Sequence, residues 1–348
     1  MTTPRRTRRA AAAAAILSAT LVLTACGSDP EETPADTTGA ATQTPTGDAG
    51  TATETPTSGE TRTVEADNGT IEVPADPQRV VTIGNTTLTF IDLGGKPVGV
   101  TQVGDSALAL IPEDQKATYE AATVLASSAD EVDMEQLASL EPDLILAQFP
   151  ATEFEPLKKQ LESIAPTAFW GLDVEWKALA DGLAEAGNVG DALSAQKAEF
   201  AERVGKIQET YGTIIAETSF VEVTRWNNAD PGTFSITDFG CVEIARDDIG
   251  MDFPEAAEGE DPLGWTALPF EQLSSLSDYD VITYPVDAEG NPTEAFQPVV
   301  ETNTWKELPA VKSGRALGVF CPGNSTYGPV LQYLESLDAA LATLPAKE

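Results

Sequence analysis

The sequence contains three cysteines, and the first of them, Cys26, stands where its thiol is expected to react. It follows Leu23-Thr24-Ala25, at the end of an apolar run that begins at Ala10 and is preceded by arginines. This order of basic, apolar and small residues is typical of an export signal that is removed from the mature chain. A thiol is the only side chain there that can be thioether-linked to a diacylglycerol, so we expect lipidation of Cys26. The alternative is a chance cysteine beside a plain cleavage site.

The other two cysteines, Cys241 and Cys321, form an even pair if a lipid consumes the first. Export would place them in an oxidising compartment, where thiols pair. We therefore expect a Cys241–Cys321 disulfide, with two buried free thiols as the alternative.

The chain contains no histidine, which bears on every kind of catalytic site. This excludes Ser-His-Asp hydrolases, His-paired cysteine nucleophiles and the usual zinc sites. We find no Gly-x-Ser-x-Gly elbow, no Ser-x-x-Lys and no phosphate-binding loop. We therefore expect no enzyme, no catalytic residue, no cofactor and no protein-held metal. The formal net charge of −36 also argues against binding to nucleic acid or to an anionic membrane surface.

The composition of the chain divides it into a signal peptide, a tether and a folded part. Residues 1–25 are the predicted signal peptide, and residues 26–61, rich in Thr, Pro and Ala, lack the apolar side chains that folding requires. No later stretch approaches the roughly 20 apolar residues of a membrane-spanning helix. We expect a protein on the outer face of the cytoplasmic membrane, held there by its lipid alone.

The folded part alternates predicted strands with short helices, which indicates α/β layering. A hairpin around Asn68-Gly69 opens it, and a mostly helical stretch from Val174 to Thr213 is predicted to break near Gly187 to Gly190. We predict an N-terminal lobe at 62–173, a linking helical region at 174–213 and a C-terminal lobe at 214–348. The stretch from Asp230 to Asp238 is predicted to be a loop.

Two short segments of the chain have the same local pattern. Met134-Glu135-Gln136-Leu137 precedes the apolar strand Leu144-Ile145-Leu146, and Phe270-Glu271-Gln272-Leu273 precedes Val281-Ile282-Thr283. The repetition predicts two related α/β lobes joined by a helix.

At this level the sequence resembles the iron-siderophore and cobalamin branch of the ABC-importer binding proteins. The resemblance follows the folded part in the expected order, and its motifs are Val73-Pro74-Ala75-Asp76-Pro77-Gln78-Arg79-Val80-Val81, Gly94-Gly95-Lys96-Pro97-Val98-Gly99-Val100, Leu140-Glu141-Pro142-Asp143-Leu144-Ile145 and the run from Trp305 to Arg315. It implies two Rossmann-like α/β lobes joined by a long, rigid helix, with a ligand cleft between the lobes.

The same resemblance implies the partners of the protein. These are a small iron chelate and an ABC permease with its ATPase, and we expect the protein itself to be a monomer. In that family a Glu on each lobe contacts arginines of the permease, and the matching positions here are Glu135 and Glu271. The alternative is that each Glu is a solvated face of a short helix.

For the cleft, the resemblance directs attention to arginine and aromatic residues near strand ends, because ferric siderophores are bulky, oxygen-rich and often anionic. Arg225 and Trp226 directly follow a predicted strand and offer both groups, although a surface Arg beside a packing Trp would look the same. Weaker candidates, which equally fit core or lid packing, are Tyr284, Trp265, Tyr327, Trp170 and Thr86 with its neighbours Asn85 and Thr87.

The predicted ligand is a ferric siderophore, whose own atoms complete the coordination of iron. Haem and naked ferric ion usually need His or Tyr from the protein, and here only Tyr is present. Cobalamin and haem carriers of the same importer type remain alternatives. A lipid-anchored envelope enzyme or accessory protein on the same fold is the alternative from outside this class.

Overall fold

The structure is a computed structural model that describes residues 59–254, 267–323 and 326–344. The described chain opens with an antiparallel hairpin of β1 (Thr61–Ala66) and β2 (Gly69–Pro74). At its turn, the side chain of Asp67 accepts a hydrogen bond from Gly171 N at 2.7 Å, and Asn68 Oδ1 accepts one from Phe169 N at 3.0 Å. The hairpin is therefore fastened to the end of the N-terminal lobe.

The N-terminal lobe contains one fully parallel five-stranded sheet. Its strands, in chain order, are β3 (Val80–Gly84), β4 (Gly99–Thr101), β5 (Thr123–Ala126), β6 (Leu144–Gln148) and β7 (Thr167–Trp170). Its helices are α1 (Thr86–Asp92), α2 (Asp105–Leu108), α3 (Glu113–Ala121), α4 (Met134–Ser139) and α5 (Ala151–Ile164), with a 3₁₀ turn at Ala129–Glu131. Strands β6 and β7 are buried along their whole length, as expected for a parallel sheet covered on both faces.

Two helices follow this sheet, α6 (Trp176–Gly187) and the 27-residue α7 (Gly190–Ala216). They are separated at Asn188, which takes a left-handed conformation (φ 57°) and donates its backbone N–H to Glu185 O. Helix α6 buries Leu183 and its neighbours in the core of the N-terminal lobe, whereas α7 contributes Ile207 to the core of the C-terminal lobe. The chain thus passes from one lobe to the other along α7.

The C-terminal lobe contains a second five-stranded sheet. Its strands are β8 (Phe220–Thr224), β9 (Thr233–Thr237), β10 (Ala267–Pro269), β11 (Val281–Pro285) and β12 (Ala316–Val319). Its helices are α8 (Cys241–Glu243), which continues as a π-helix over Ile244–Ile249, a 3₁₀ helix at Phe270–Asp278, α9 (Gln297–Val300), α10 (Asn303–Glu307), α11 (Pro309–Lys312) and α12 (Tyr327–Leu341).

The two sheets have the same strand order, third-second-first-fourth-fifth within each lobe. They differ on one side, because β9 runs antiparallel to β8 and β10 antiparallel to β9. The prediction of a loop from Asp230 to Asp238 was wrong, since β9 occupies most of it. Its adjacent residues Phe234 and Ser235 point to opposite faces of the sheet and are both buried, which only the finished sheet makes possible.

The lobes meet through an aromatic cluster and a carboxylate. Trp176 and Phe200 pack against the cores of both lobes. Across the same junction, Asp92 Oδ2 accepts hydrogen bonds from Thr326 Oγ1 at 2.7 Å and Gly328 N at 3.0 Å, at the start of α12. Within the described ranges, no helix has both the length and the apolar character needed to cross a membrane.

Candidate functional site

A cavity of about 940 Å³ lies between the two lobes. The N-terminal lobe supplies its wall from the carboxyl ends of all five parallel strands or the residues that follow them, represented by Gly84, Thr101, Ser127, Gln148 and Leu172. Loops at the carboxyl ends of parallel strands are where open α/β sheets bind ligands. The cavity is therefore the candidate binding site.

Hydrogen bonds between neighbouring strands hold this wall in place. Gly84 N donates to Thr101 Oγ1 at 2.8 Å, Asn85 N donates to Gln148 O at 3.0 Å, and Gln148 Nε2 donates to Gly171 O at 3.1 Å. Gly84 has a φ of 71°, and a Cβ on it would overlap the carbonyl oxygen of Gln148. A glycine is thus required where two strands end side by side.

The start of the linking helices forms the next part of the cavity wall. Trp176 packs edge-to-face against Tyr327, with ring centroids 4.8 Å apart, and against Phe200 at 6.2 Å. The ammonium of Lys177 lies 2.6 Å from Asp248 Oδ1 of the C-terminal lobe and 5.0 Å from the centroid of the Phe200 ring. This ion pair crosses from the linking helix to the opposite lobe at the cavity surface.

The C-terminal lobe contributes mainly the segment from Phe239 to Asp248. A disulfide between Cys241 and Cys321, with Cα atoms 6.2 Å apart, ties the start of this segment to the end of β12. Gly240 N donates to Glu243 Oε2 at 3.2 Å, and burial raises the pKa of the Glu243 carboxyl. Arg246 pairs with Asp247 at 2.8 Å and donates to Asp238 O at 3.0 Å.

The cavity wall is polar and carries far more acid than base. Its neutral polar side chains include Asn85, Thr87, Gln102, Ser127 and Gln148, and its aromatic side chains are Trp176 and Phe239. Its charged side chains are Asp173, Glu175, Lys177, Glu243, Asp247 and Asp248. Within the described ranges, no group of three or more carboxylate or thiol side chains is placed to hold a metal ion.

Arg225, predicted as the main ligand contact, is not part of this cavity wall. Its guanidinium donates to Ala295 O at 3.0 Å, Ala229 O at 3.2 Å and Asp230 O at 3.5 Å, so that it braces the loop between β8 and β9. Its neighbour Trp226 stacks on Phe239 at 6.0 Å, with an interplanar angle of 17°. Phe239 lines the cavity, whereas Trp226 is not among the wall residues.

Three other predicted ligand residues are buried in the protein core. Thr86 has no exposed surface, and its hydroxyl donates to the carbonyls of Ile83 and Leu146. Trp170 is 4% exposed in the core of the N-terminal lobe. Tyr327 is 3% exposed, and burial, with lesser contributions from nearby carboxylates, raises its pKa to about 12. It supports the cavity through Trp176.

The remaining predicted residues lie elsewhere. Tyr284 stacks on Phe296 at 5.5 Å and lines a separate concavity beside β12. Trp265 and Cys26 fall outside the described residues. Sequence reasoning missed Gln148, Trp176 and Lys177, although a polar residue ending a buried strand and a Trp-Lys pair opening a helix were signals available for them.

Glu135 and Glu271 occupy equivalent places in the two lobes. Glu135 is in α4, between the third and fourth strands of the first lobe, and Glu271 is in the 3₁₀ helix between the third and fourth strands of the second. Both side chains are exposed, and neither carboxylate has a hydrogen bond or ion pair within the described part of the chain. Asp133 caps α4 by accepting from Glu135 N at 2.9 Å, which fixes the backbone there.

This chain belongs to the Periplasmic binding protein family, whose profile matches residues 80–317. It is 30% identical over 273 residues to a putative ABC transporter substrate-binding lipoprotein, YhfQ, of Bacillus subtilis, covering 74% of this chain and 80% of that protein. It is 26% identical over 269 residues to the iron(3+)-hydroxamate-binding protein FhuD of the same organism, covering 73% of this chain and 78% of the other.

Among solved structures, the fold resembles the siderophore periplasmic binding protein from the fuscachelin gene cluster of Thermobifida fusca. The TM-score is 0.65 at 28% identity, covering 78% of this chain and 99% of the other. The petrobactin-binding protein YclQ of Bacillus subtilis shares the fold with a TM-score of 0.59 at 18% identity, covering 81% and 99% of the two chains. The two-lobed α/β architecture expected from the sequence is confirmed.

Proposed function

We propose that this protein is the substrate-binding lipoprotein of an ABC importer and that it captures a ferric siderophore in the interlobe cavity. The observation that carries the proposal is the cavity itself, at the carboxyl ends of five parallel strands in a member of this family. Its volume of about 940 Å³ is near the top of the roughly 300–1,000 Å³ usual for small-molecule sites, as a bulky chelate requires. The names of the relatives favour iron chelates over cobalamin and haem.

Ligand binding is testable through tryptophan fluorescence, because Trp176 lines the cavity. The mature chain carrying Cys26→Ser, and hence no lipid, would be titrated with ferric hydroxamate, catecholate and citrate complexes, cobalamin and haem. We expect saturable quenching by at least one ferric chelate, with a smaller amplitude in Trp176→Phe. Trp305→Phe is the matched control, since Trp305 is buried in the C-terminal core away from the cavity. Quenching by cobalamin or haem alone would overturn the proposal.

We also propose that Glu135 and Glu271 dock the protein on its permease. Two carboxylates at equivalent positions of two lobes present a geometrically fixed pair to arginines on a transporter of matching symmetry. Glu135→Lys together with Glu271→Lys should abolish uptake of the ferric chelate while leaving its binding affinity unchanged. The control is Glu120→Lys with Glu301→Lys, which changes one exposed carboxylate on each lobe. Normal uptake by the first double variant would exclude this docking role.

A lipid on Cys26, with the tether that follows it, would hold the protein on the membrane that contains the permease. A lipidated cysteine followed by a linker rich in Thr, Pro and Ala would let the lobes bind ligand in solution and return to the same membrane. We expect Cys26→Ser to release the protein into the soluble fraction. Retention of that variant in the membrane would contradict the assignment of the lipid to this residue.

A further inference from the structure

The charges of the interlobe cavity bear on which ferric complexes it accepts. Its described wall carries five carboxylates and a single ammonium, that of Lys177. The two internal stretches without structural description, 255–266 and 324–325, contain no Lys or Arg. The excess of acid is therefore a property of the folded chain around the cavity.

The cations on the cavity wall and in the segments next to it already have carboxylate or carbonyl partners. Lys177 pairs with Asp248 at 2.6 Å, and Arg246, next to the wall, pairs with Asp247 at 2.8 Å. Arg225 directs its guanidinium to three backbone carbonyls. An anionic chelate that reached Lys177 would meet an ammonium whose charge Asp248 already balances, with four further carboxylates on the same wall.

Asp173 and Glu175 are carboxylates of the wall that no cation of the described residues neutralises. Both are exposed and line the cavity, and neither side chain has a hydrogen bond or ion pair among residues 59–254, 267–323 and 326–344. They immediately precede Trp176, whose ring lines the cavity and already has the Lys177 ammonium 5.3 Å from its centroid. A protonated amine would find two carboxylates as ion-pair partners at this place.

We propose that the cavity selects ferric chelates without net negative charge, and that Asp173 and Glu175 favour those carrying a protonated amine. This inference rests on the proposed siderophore-binding function and names the charge class of its ligand. A ferric trihydroxamate has a neutral metal centre, because three monoanionic groups balance Fe³⁺, and an amine arm makes it cationic. Ferric triscatecholates and ferric citrates carry net negative charge. The neutral side-chain amides of Asn85, Gln102 and Gln148 can donate to chelate oxygens without adding charge.

The test uses three probes with one iron-binding core. Ferrioxamine B carries a free terminal ammonium, its N-acetyl derivative is neutral, and its N-succinyl derivative is anionic. We expect affinity to fall in that order by about three- to tenfold per step at low salt, with smaller steps at high salt. Asp173→Asn with Glu175→Gln should lower affinity for the cationic probe far more than affinity for the neutral one, and so remove most of the preference for the cation.

The controls separate the inference from the proposed function. Glu153→Gln with Glu155→Gln, on the exposed side of α5, changes charge by the same amount outside the cavity and should preserve the order. Equal affinities, the reverse order, or tighter binding of a ferric triscatecholate or citrate would overturn the charge selection while leaving siderophore binding intact. Absence of binding by every ferric chelate would overturn both.

Discussion

The central strands of the two lobes carry different kinds of side chain at their third position, and this difference gives the two lobes different physical properties. The third residue of β3 is Thr82, which is fully buried and bonded to Thr87 Oγ1 at 3.0 Å. The third residue of β8 is Glu222, whose carboxyl group lies in the protein interior although the residue keeps some exposed surface. One lobe has a neutral core, whereas the other contains an ionisable group and a disulfide. Stability of the C-terminal lobe should therefore depend on pH and redox state.

The largest expected difference between the lobes concerns the disulfide. Cys241→Ala with Cys321→Ala should lower the free energy of unfolding of the C-terminal lobe by about 2–5 kcal/mol, because a link across 80 residues no longer restricts the unfolded chain. Urea denaturation followed by hydrogen exchange would assign the loss to one lobe. The N-terminal lobe contains no cysteine and is the internal control. A loss spread equally over both lobes would contradict the comparison.

A second difference should appear when pH is varied. Burial raises the pKa of Glu222 to about 7, although Thr283 Oγ1 donates to Glu222 Oε2 at 3.1 Å and partly opposes the shift. The folded state then binds this proton more tightly than the unfolded chain, so stability is full below about pH 4.5 and falls as pH rises through 7. Glu222→Gln should remove this loss, with a gain of up to about 3 kcal/mol at pH 8 and none at pH 4.

Urea midpoints of both proteins across pH 4–8 would measure this effect. Glu209→Gln, which removes an exposed carboxylate of α7, is the control with the same change of charge. Parallel curves for the wild type and Glu222→Gln would show that Glu222 has an ordinary pKa.

The smallest expected effect concerns the hydrogen bonds of Asp92, which join the two lobes. Asp92 of the N-terminal lobe accepts from Thr326 Oγ1 and Gly328 N at the start of α12, and from Gln115 Nε2 at 2.9 Å. Asp92→Ala should cost about 1.5–3 kcal/mol of unfolding free energy through lost hydrogen bonds to a charged group, and Asp92→Asn less. Calorimetry should then show the two lobes melting further apart in temperature. One unchanged transition would mean that the aromatic cluster and the Lys177–Asp248 ion pair couple the lobes without Asp92.

Local patterns in the sequence predicted the framework of the fold well. Asn68-Gly69 gave the position of the first hairpin, and the repeated apolar-Glu-Gln-Leu segments fell at equivalent places in two sheets of the same order. These features are short-range, since each depends on a turn or on alternation within a few residues. Strand β9 was missed because its burial comes from pairing with β8 and β10.

The candidate site was less accessible to sequence reasoning. The spacing around Arg225 cannot show that Ala229, Asp230 and Ala295 present carbonyl oxygens to its guanidinium. Likewise, Lys177 and Asp248 are 71 residues apart and meet only after the lobes assemble. Residue types alone predicted a cleft with arginine donors, whereas the folded protein has a cavity wall with five carboxylates and one ammonium.

The position of the bound iron tests the central claim most directly. Crystals of the mature chain carrying Cys26→Ser, grown with the tightest-binding ferric chelate, would be measured at the iron absorption edge. We predict one anomalous peak in the interlobe cavity, between Gln148 and the wall formed by Trp176 and Asp248. An iron peak outside the cavity, or a chelate bound beside Tyr284 and β12, would contradict this assignment.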